Sequence, residues 1–266
     1  MSHVAVNRIA PSDLDELPAR LTTRRLGRSL VVLDETDSTN DDARRAADAG
    51  CPDGHVVVAN AQRKGRGSHG RSWSSPPGED IYASIVLRLD VPPARLPPLT
   101  LCAGLAVARA LSKRVGIEAR LKWPNDVLIE ERKCAGLLVE TSSVGARASS
   151  AIVGIGIGVN RARFDPPLDR TATSVHIASG RRHARAEILA EVLAELEAEV
   201  DRFVAEGPAP AIQEIAARLA WIGERVNVGE LRGRLIGLDE SSGALRIDAG
   251  TEVVTVVAGT LERDAP

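Results

Sequence analysis

This sequence of 266 residues is short of cysteine, of lysine and of net charge, and each shortage removes a class of protein. Its three cysteines, Cys51, Cys102 and Cys134, are odd in number and show no C-x-x-C spacing. That argues against a disulfide framework and a thiolate zinc site, and fits a reducing cytoplasm. No apolar run approaches the ~18 residues of a membrane span, and no basic segment followed by an apolar core opens the chain. The expectation is therefore a cytoplasmic protein with no membrane partner. A net charge of −2 excludes a general nucleic-acid coat, so anion binding has to be local. Lysine accounts for only four of the 34 basic residues, Lys64, Lys113, Lys122 and Lys133, and arginine for the rest. A compact ammonium and a planar guanidinium are not interchangeable, so positions 64 to 133 are where cation-specific chemistry is expected.

What is present is an ordinary globular composition, 44% apolar and 26% charged, long enough for one large domain or a medium one plus a small one. A short helix is expected around Leu14 to Leu21 and a strand at Leu30 to Leu33. Ser38 opens an alanine-rich helix as its cap, and Gly50-Cys51-Pro52 ends it. Strands at His55 to Ala61 and Ile81 to Leu89 flank a glycine-rich basic loop, and apolar spacing predicts a helix from Leu96 to Arg114. Near-continuous apolar runs at 120–123, 127–130, 134–141 and 151–160 read as strands buried on both faces. Amphipathic helices follow at Glu187 to Val204 and Ile212 to Ile222. Beyond Trp221, short strands and glycine turns read as a small β-barrel or sheet. The domain boundaries expected are 1–222 and 223–266.

Four segments carry chemistry. In Lys64-Gly65-Arg66-Gly67-Ser68-His69-Gly70-Arg71-Ser72-Trp73, glycines let the backbone approach a ligand, and the cations around them suit phosphate or carboxylate. A solvated surface turn is the plainer explanation. In Lys122-Trp123-Pro124-Asn125-Asp126 a proline fixes the turn between polar side chains; a strand end with a buried tryptophan explains it equally well. Lys133-Cys134-Ala135-Gly136 sets a lysine at the mouth of a buried strand, either aimed at an anion or protecting an edge. Gly154-Ile155-Gly156-Ile157-Gly158-Val159-Asn160 alternates glycines along a strand, leaving a flat floor for a ring or for close packing.

Together these segments resemble the biotin protein ligases, over roughly positions 30 to 263. The resemblance rests on Asp37 to Asn40, Gln62, Gly65 to Trp73, Lys122 to Asp126, Lys133 to Glu140 and Gly156 to Asn160. It implies an α+β fold, a mixed β-sheet with flanking helices like that of class II synthetases, plus a small C-terminal β-barrel. It also implies an ATP-dependent enzyme that activates biotin as biotinyl-5'-AMP, releases pyrophosphate, and passes biotin to one lysine of a biotin carboxyl carrier domain. The carrier would belong to acetyl-CoA carboxylase or a related carboxylase.

By the resemblance, Arg66, Arg71, Lys122 and Lys133 offset the repulsion between carboxylate and phosphate, with Mg2+ on the ATP phosphates and no assignable metal ligands. Asp126 orients the acceptor amine. Ser38, Thr39, Asn40, Gln62, Arg66, Gly67, Ser68, Lys133 and Gly136 would hold biotin; Arg71, Trp73, Lys122, Asn125 and Asn160 would hold the nucleotide. One position departs from the family's pattern: Ser68 stands where the string most often has arginine, which implies looser retention of the adenylate. The loop from Arg66 to Trp73 is expected to be disordered without ligand, and family members often dimerise through a sheet edge. Lipoate or octanoate ligases of the same fold are the nearest alternative. A biotin-sensing repressor is disfavoured, because the 29 residues before Leu30 hold no helix-turn-helix pattern and no DNA partner is expected. A nucleotide-binding module without catalysis is the third reading.

Overall fold

The computed structural model describes residues 3–7, 12–144 and 147–264. In chain order the elements begin with β1 (His3–Asn7), α1 (Leu17–Arg20), β2 (Ser29–Thr36), α2 (Thr39–Asp48), β3 (His55–Gln62) and β4 (Ile81–Leu87). Then come α3 (Leu99–Val115), β5 (Arg120–Lys122), β6 (Asp126–Ile129), β7 (Arg132–Val144), β8 (Arg147–Ile157), α4 (Val175–Ser179), α5 (Arg185–Glu206) and α6 (Ala209–Ala217). The last part holds β9 (Arg225–Val228), β10 (Leu231–Leu238), β11 (Leu245–Asp248), β12 (Val253–Val256) and β13 (Leu261–Arg263).

Eight strands form one mixed sheet in the order β1-β2-β3-β4-β8-β7-β6-β5. The first three run parallel and every later pair is antiparallel. This is the expected mixed sheet with flanking helices. The apolar helices α3 and α5 cover one face, and their side chains belong to the large core with Val32, Val58, Ile85 and Val153. Gly116, at φ +74°, closes α3 in the left-handed conformation that a residue without Cβ adopts freely. On the opposite face α2 covers only a patch, Val57, Val86 and Ile152 beneath Ala43.

Most expected elements recur within a few residues. The helix expected at Ile212 to Ile222 is shorter, ending at Ala217, because Leu219 and Ala220 leave the helix to bond the edge strand β5; Ala220 N–H donates to Leu121 O at 2.9 Å. The parallel edge strand β1 is an addition that the sequence reading did not contain. At the C-terminus the five strands form an antiparallel sheet in the order β12-β11-β10-β9-β13, with β12 and β13 at its two edges. Among the described residues this ladder does not close, so the expected barrel is a sheet. It packs on the larger sheet and its helices through Trp123, whose indole N–H donates to Gly243 O at 3.0 Å. That bond answers the question of the K-W-P-N-D segment: its tryptophan is a buried strut, while its polar residues face elsewhere.

Candidate active site

The N-terminus of α2 is built by residues distant in sequence. Ser38 occupies the cap position with extended backbone, yet its hydroxyl makes no capping bond. The expected Ser38 cap is replaced by Gln62 at the end of β3, whose Oε1 accepts from Thr39 N–H at 2.9 Å and from the Thr39 hydroxyl at 3.1 Å. A side chain already fixed by β3 can reach the exposed helix amides without ordering a flexible one. Gln62 Nε2 donates to Ser75 Oγ (2.9 Å), and Ser75 Oγ donates to Trp73 O (3.0 Å). From the sheet, Ser84 donates to Asn40 Oδ1 at 2.6 Å, and its Oγ lies 2.8 Å from Thr39 Oγ1. Asn40 Nδ2 donates to Glu140 Oε2 at 2.8 Å. Burial by itself would raise the Glu140 carboxyl, but the Asn40 bond and the Arg66 and Arg44 charges outweigh it and hold it below the usual range.

The glycine strand faces this cluster. Tyr82, Gly156, Gly136 and Asp126 are cross-strand neighbours in one row over β4, β8, β7 and β6. The indole of Trp73 lies on that row: a Cβ at Gly156 would stand 2.6 Å from Trp73 Cε2, and one at Gly136 2.8 Å from Trp73 Cζ3. Gly154 makes room for Asn40 in the same way. Trp73 Nε1 is buried without a hydrogen-bond partner, a donor that a bound ligand or water would satisfy.

Lys133 is aimed by a β-bulge. Ala135 pairs with Val127 and Lys133 with Leu128, so Cys134 is the extra residue on β7. The bulge puts Lys133 on the face of Gly136, which strict strand alternation would deny it. Its ammonium sits 2.5 Å from Asp126 Oδ1 and 5.2 Å from the Trp73 ring centroid. Lys122 lies 4.9 Å from the Trp221 ring centroid. Burial depresses the Lys122 ammonium pKa; Lys133 and Arg71 add to the effect and Asp126 opposes it.

Two clefts open here. The first, about 440 Å³ including its open mouth, is lined by Ser38, Thr39, Asn40, Gln62, Arg66, Gly67, Ser68, Trp73, Asn125, Lys133, Gly136 and Gly154 to Gly156. The second, about 1330 Å³ including its open mouth, takes in Gly67, Ser68, Arg71, Trp73, Lys122, Asp126, Lys133, Arg161, Phe164 and Trp221. Gly67, Ser68, Trp73 and Lys133 line both. The cations expected to converge are therefore divided, with Arg66 on the first cleft, Arg71 and Lys122 on the second, and Lys133 at the junction. Arg66 is turned to Asp41 and Glu140, at 2.8 Å each. Asn160 lines neither cleft: both ends of its amide bond the His183 backbone at 2.9 Å. The glycine loop folds back on itself, with Gly67 N–H on Arg71 O (2.7 Å) and Trp73 N–H on Gly65 O (2.8 Å). Ser68 Oγ accepts from Arg71 (3.0 Å) and Asn125 (3.2 Å).

Sequence reasoning missed Ser84, Ser75, Arg161, Phe164 and Trp221. Arg161, Phe164 and Trp221 line the second cleft, while Ser84 and Ser75 bond the Thr39, Asn40 and Gln62 side chains of the first. No group of three or more His, Cys, Asp or Glu side chains able to hold a metal exists among the described residues, and none of their helices is long and apolar enough to cross a membrane.

Residues 32–160, the stretch that holds most of the large sheet and the basic loop, match the biotin/lipoate A/B protein ligase family. The bifunctional ligase/repressor BirA of Bacillus spizizenii is 33% identical over 260 residues, 95% of this chain and 80% of that protein. The biotin–[acetyl-CoA-carboxylase] ligase of Mycobacterium tuberculosis is 36% identical over 242 residues, 87% of this chain and 88% of its own. Among solved structures, biotin protein ligase from Aquifex aeolicus in complex with biotin and ATP superposes with a TM-score of 0.79 at 31% identity, covering 91% of this chain and 100% of that one. The chain belongs to the biotin protein ligases.

Proposed function

We propose that this protein is an ATP-dependent biotin–[acetyl-CoA-carboxylase] ligase, with biotin in the first cleft and ATP in the second. The observation that carries the reading is Lys133, the ammonium common to both clefts, beside Trp73 and Asp126. The site has to bring a carboxylate and an α-phosphate together, and fixed cations at the meeting point offset a repulsion that water would otherwise screen. A carboxylate oxygen of biotin attacks the α-phosphorus, pyrophosphate leaves, and biotinyl-5'-AMP forms. Lys133 faces the oxygens where charge builds, with Arg71 and Lys122 along the phosphates. Magnesium would enter with the ATP phosphates, whose charge it shares. Ser38, Thr39, Asn40 and Gln62 supply the polar lining that a buried urea needs, since each unpaired group costs about 1 to 3 kcal/mol.

In the second step the neutral ε-amine of an acceptor lysine, on a carrier domain, attacks the acyl carbon and AMP departs. Asp126, already paired with Lys133, orients that amine. Placement of the reactants is worth about 7 kcal/mol or more and needs no separate base. The division at residue 222 makes 1–222 the catalytic unit and 223–266 a supporting one. Work in the cytoplasm and pairing of two copies through a sheet edge complete the reading; mass in solution tests the pairing. The decisive experiment supplies labelled biotin, ATP and a carrier domain: label on the carrier lysine that depends on ATP supports the ligase. Incorporation of lipoate or octanoate in place of biotin would refute it.

A further inference from the structure

Arg161 and Asp80 stand outside every motif quoted above, and the proposed chemistry leaves them without a task. Asp80 precedes β4 and is 1% exposed. Its Oδ1 accepts from Val159 N–H at 2.9 Å, and its Oδ2 meets Arg161 Nε at 2.5 Å and the Tyr82 hydroxyl at 3.3 Å. A carboxylate this deep is retained only where donors surround it. The other edge of the Arg161 guanidinium bonds the Ser74 carbonyl and, at 3.2 Å, its hydroxyl. Its flat face meets Phe164, with the guanidinium carbon 5.0 Å from the ring centroid. One side chain thus joins the arm that carries Trp73 to the segment that carries Phe164, on two sides of the second cleft.

That segment, 161–174, is anchored differently at its two ends. The returning limb pairs with the backbone of Lys133: Lys133 N–H donates to Thr171 O at 2.8 Å and Thr173 N–H to Lys133 O at 2.9 Å. The outgoing limb has Arg161 instead, whose carbonyl also accepts the Ser174 hydroxyl at 2.6 Å. The sheet therefore holds the limb nearest the chemistry, while Phe164 depends on a guanidinium that Asp80 orients. A lysine could not serve, because one ammonium cannot bond Asp80 and Ser74 while presenting a flat face to an aromatic ring.

We infer that Asp80 is a positioning residue that seats Arg161, and through it the outgoing limb and Phe164, so as to set affinity for ATP in the second cleft without acting on biotin or on amine transfer. The inference rests on the assignment of the second cleft to ATP.

The test compares wild type with Asp80→Asn and Arg161→Lys in full-length protein, by ATP-dependent incorporation of labelled biotin. Circular dichroism and thermal unfolding confirm that each variant is folded. The expected result is a KM for ATP raised about tenfold in both, the loss of one charge-assisted orienting bond, with kcat and the KM for biotin within about twofold of wild type. The double variant should be no worse than either single one. An unchanged KM for ATP, or KM values for ATP and biotin rising together, overturns the inference. Limited trypsin digestion keeps it testable if the ligase assignment itself fails. Asp80→Asn should speed cleavage after the exposed Arg163, and an unchanged rate would count against the Asp80–Arg161 link whatever the enzyme's substrates.

Discussion

The indole of Trp73 rests directly on the backbone of Gly156, so closely that a Cβ there would stand 2.6 Å from Trp73 Cε2 and 2.7 Å from Trp73 Nε1. Both neighbours are constrained, the ring by its place between the clefts and the glycine by its ladder bonds to β4 and β7. Gly156→Ala therefore has to push the ring outward. Because Trp73 lines both clefts, kcat/KM should fall for biotin and ATP alike. The fall should be on the order of 100-fold, as for misplacement of about an ångström. Steady-state kinetics with each substrate varied in turn checks this, and a loss confined to one substrate would contradict the shared wall.

Lys122 makes a pH prediction. Burial, aided by Lys133 and Arg71, depresses its pKa from the ordinary 10.5. An ATP phosphate stabilises the protonated form, so binding is strong below the free-site pKa and weakens as pH rises through it. The alkaline fall of kcat/KM for ATP should begin below pH 10.5, while Lys122→Arg, permanently charged, should move that fall upward or abolish it. Identical profiles for the two proteins would show that another group titrates.

Ser68 Oγ is the acceptor shared by Arg71 and Asn125. A hydroxyl there holds two neighbours in place but brings no charge to an acyl phosphate. Ser68→Arg should slow escape of biotinyl-5'-AMP by severalfold, since a charge-assisted bond is roughly twice as strong as a neutral one. Rapid separation of enzyme from free adenylate measures it, and equal retention would sink the idea.

Glu140 receives Asn40 and faces Arg66 and Arg44. Burial opposes its charge, yet these partners hold its folded pKa below the unfolded value of 4.5. The stabilisation is thus complete above pH 4.5 and is lost as pH falls through the folded pKa. Glu140→Gln should lower the thermal midpoint near pH 7 by several degrees, and the gap should close under acid. A gap that persists at low pH would mean that packing, not charge, supports the site.

The element types were legible because their causes are local: apolar spacing gives α3 and α5, and uninterrupted apolar runs give β7 and β8. The loop, the lysines and the glycine strand were legible because glycine and cation patterns are unusual in themselves. Where expectation and structure part, a distant partner won. Gln62 displaced Ser38 as the cap, residues 218–221 left their helix for the edge of the sheet, and Asn160 was engaged by the His183 backbone.

By itself the sequence determined which residues could meet an anion and where a bare strand surface had to lie, since both depend only on side-chain chemistry and on the absence of Cβ. The tertiary structure alone decided how those residues are shared. The turn of the basic loop set Trp73 on Gly156, the extra residue Cys134 turned Lys133 to the junction of two clefts, and Asp80 came to lie behind Arg161. Such placements follow from strand register and from loops that meet across segments far apart in the chain, neither of which a local pattern carries.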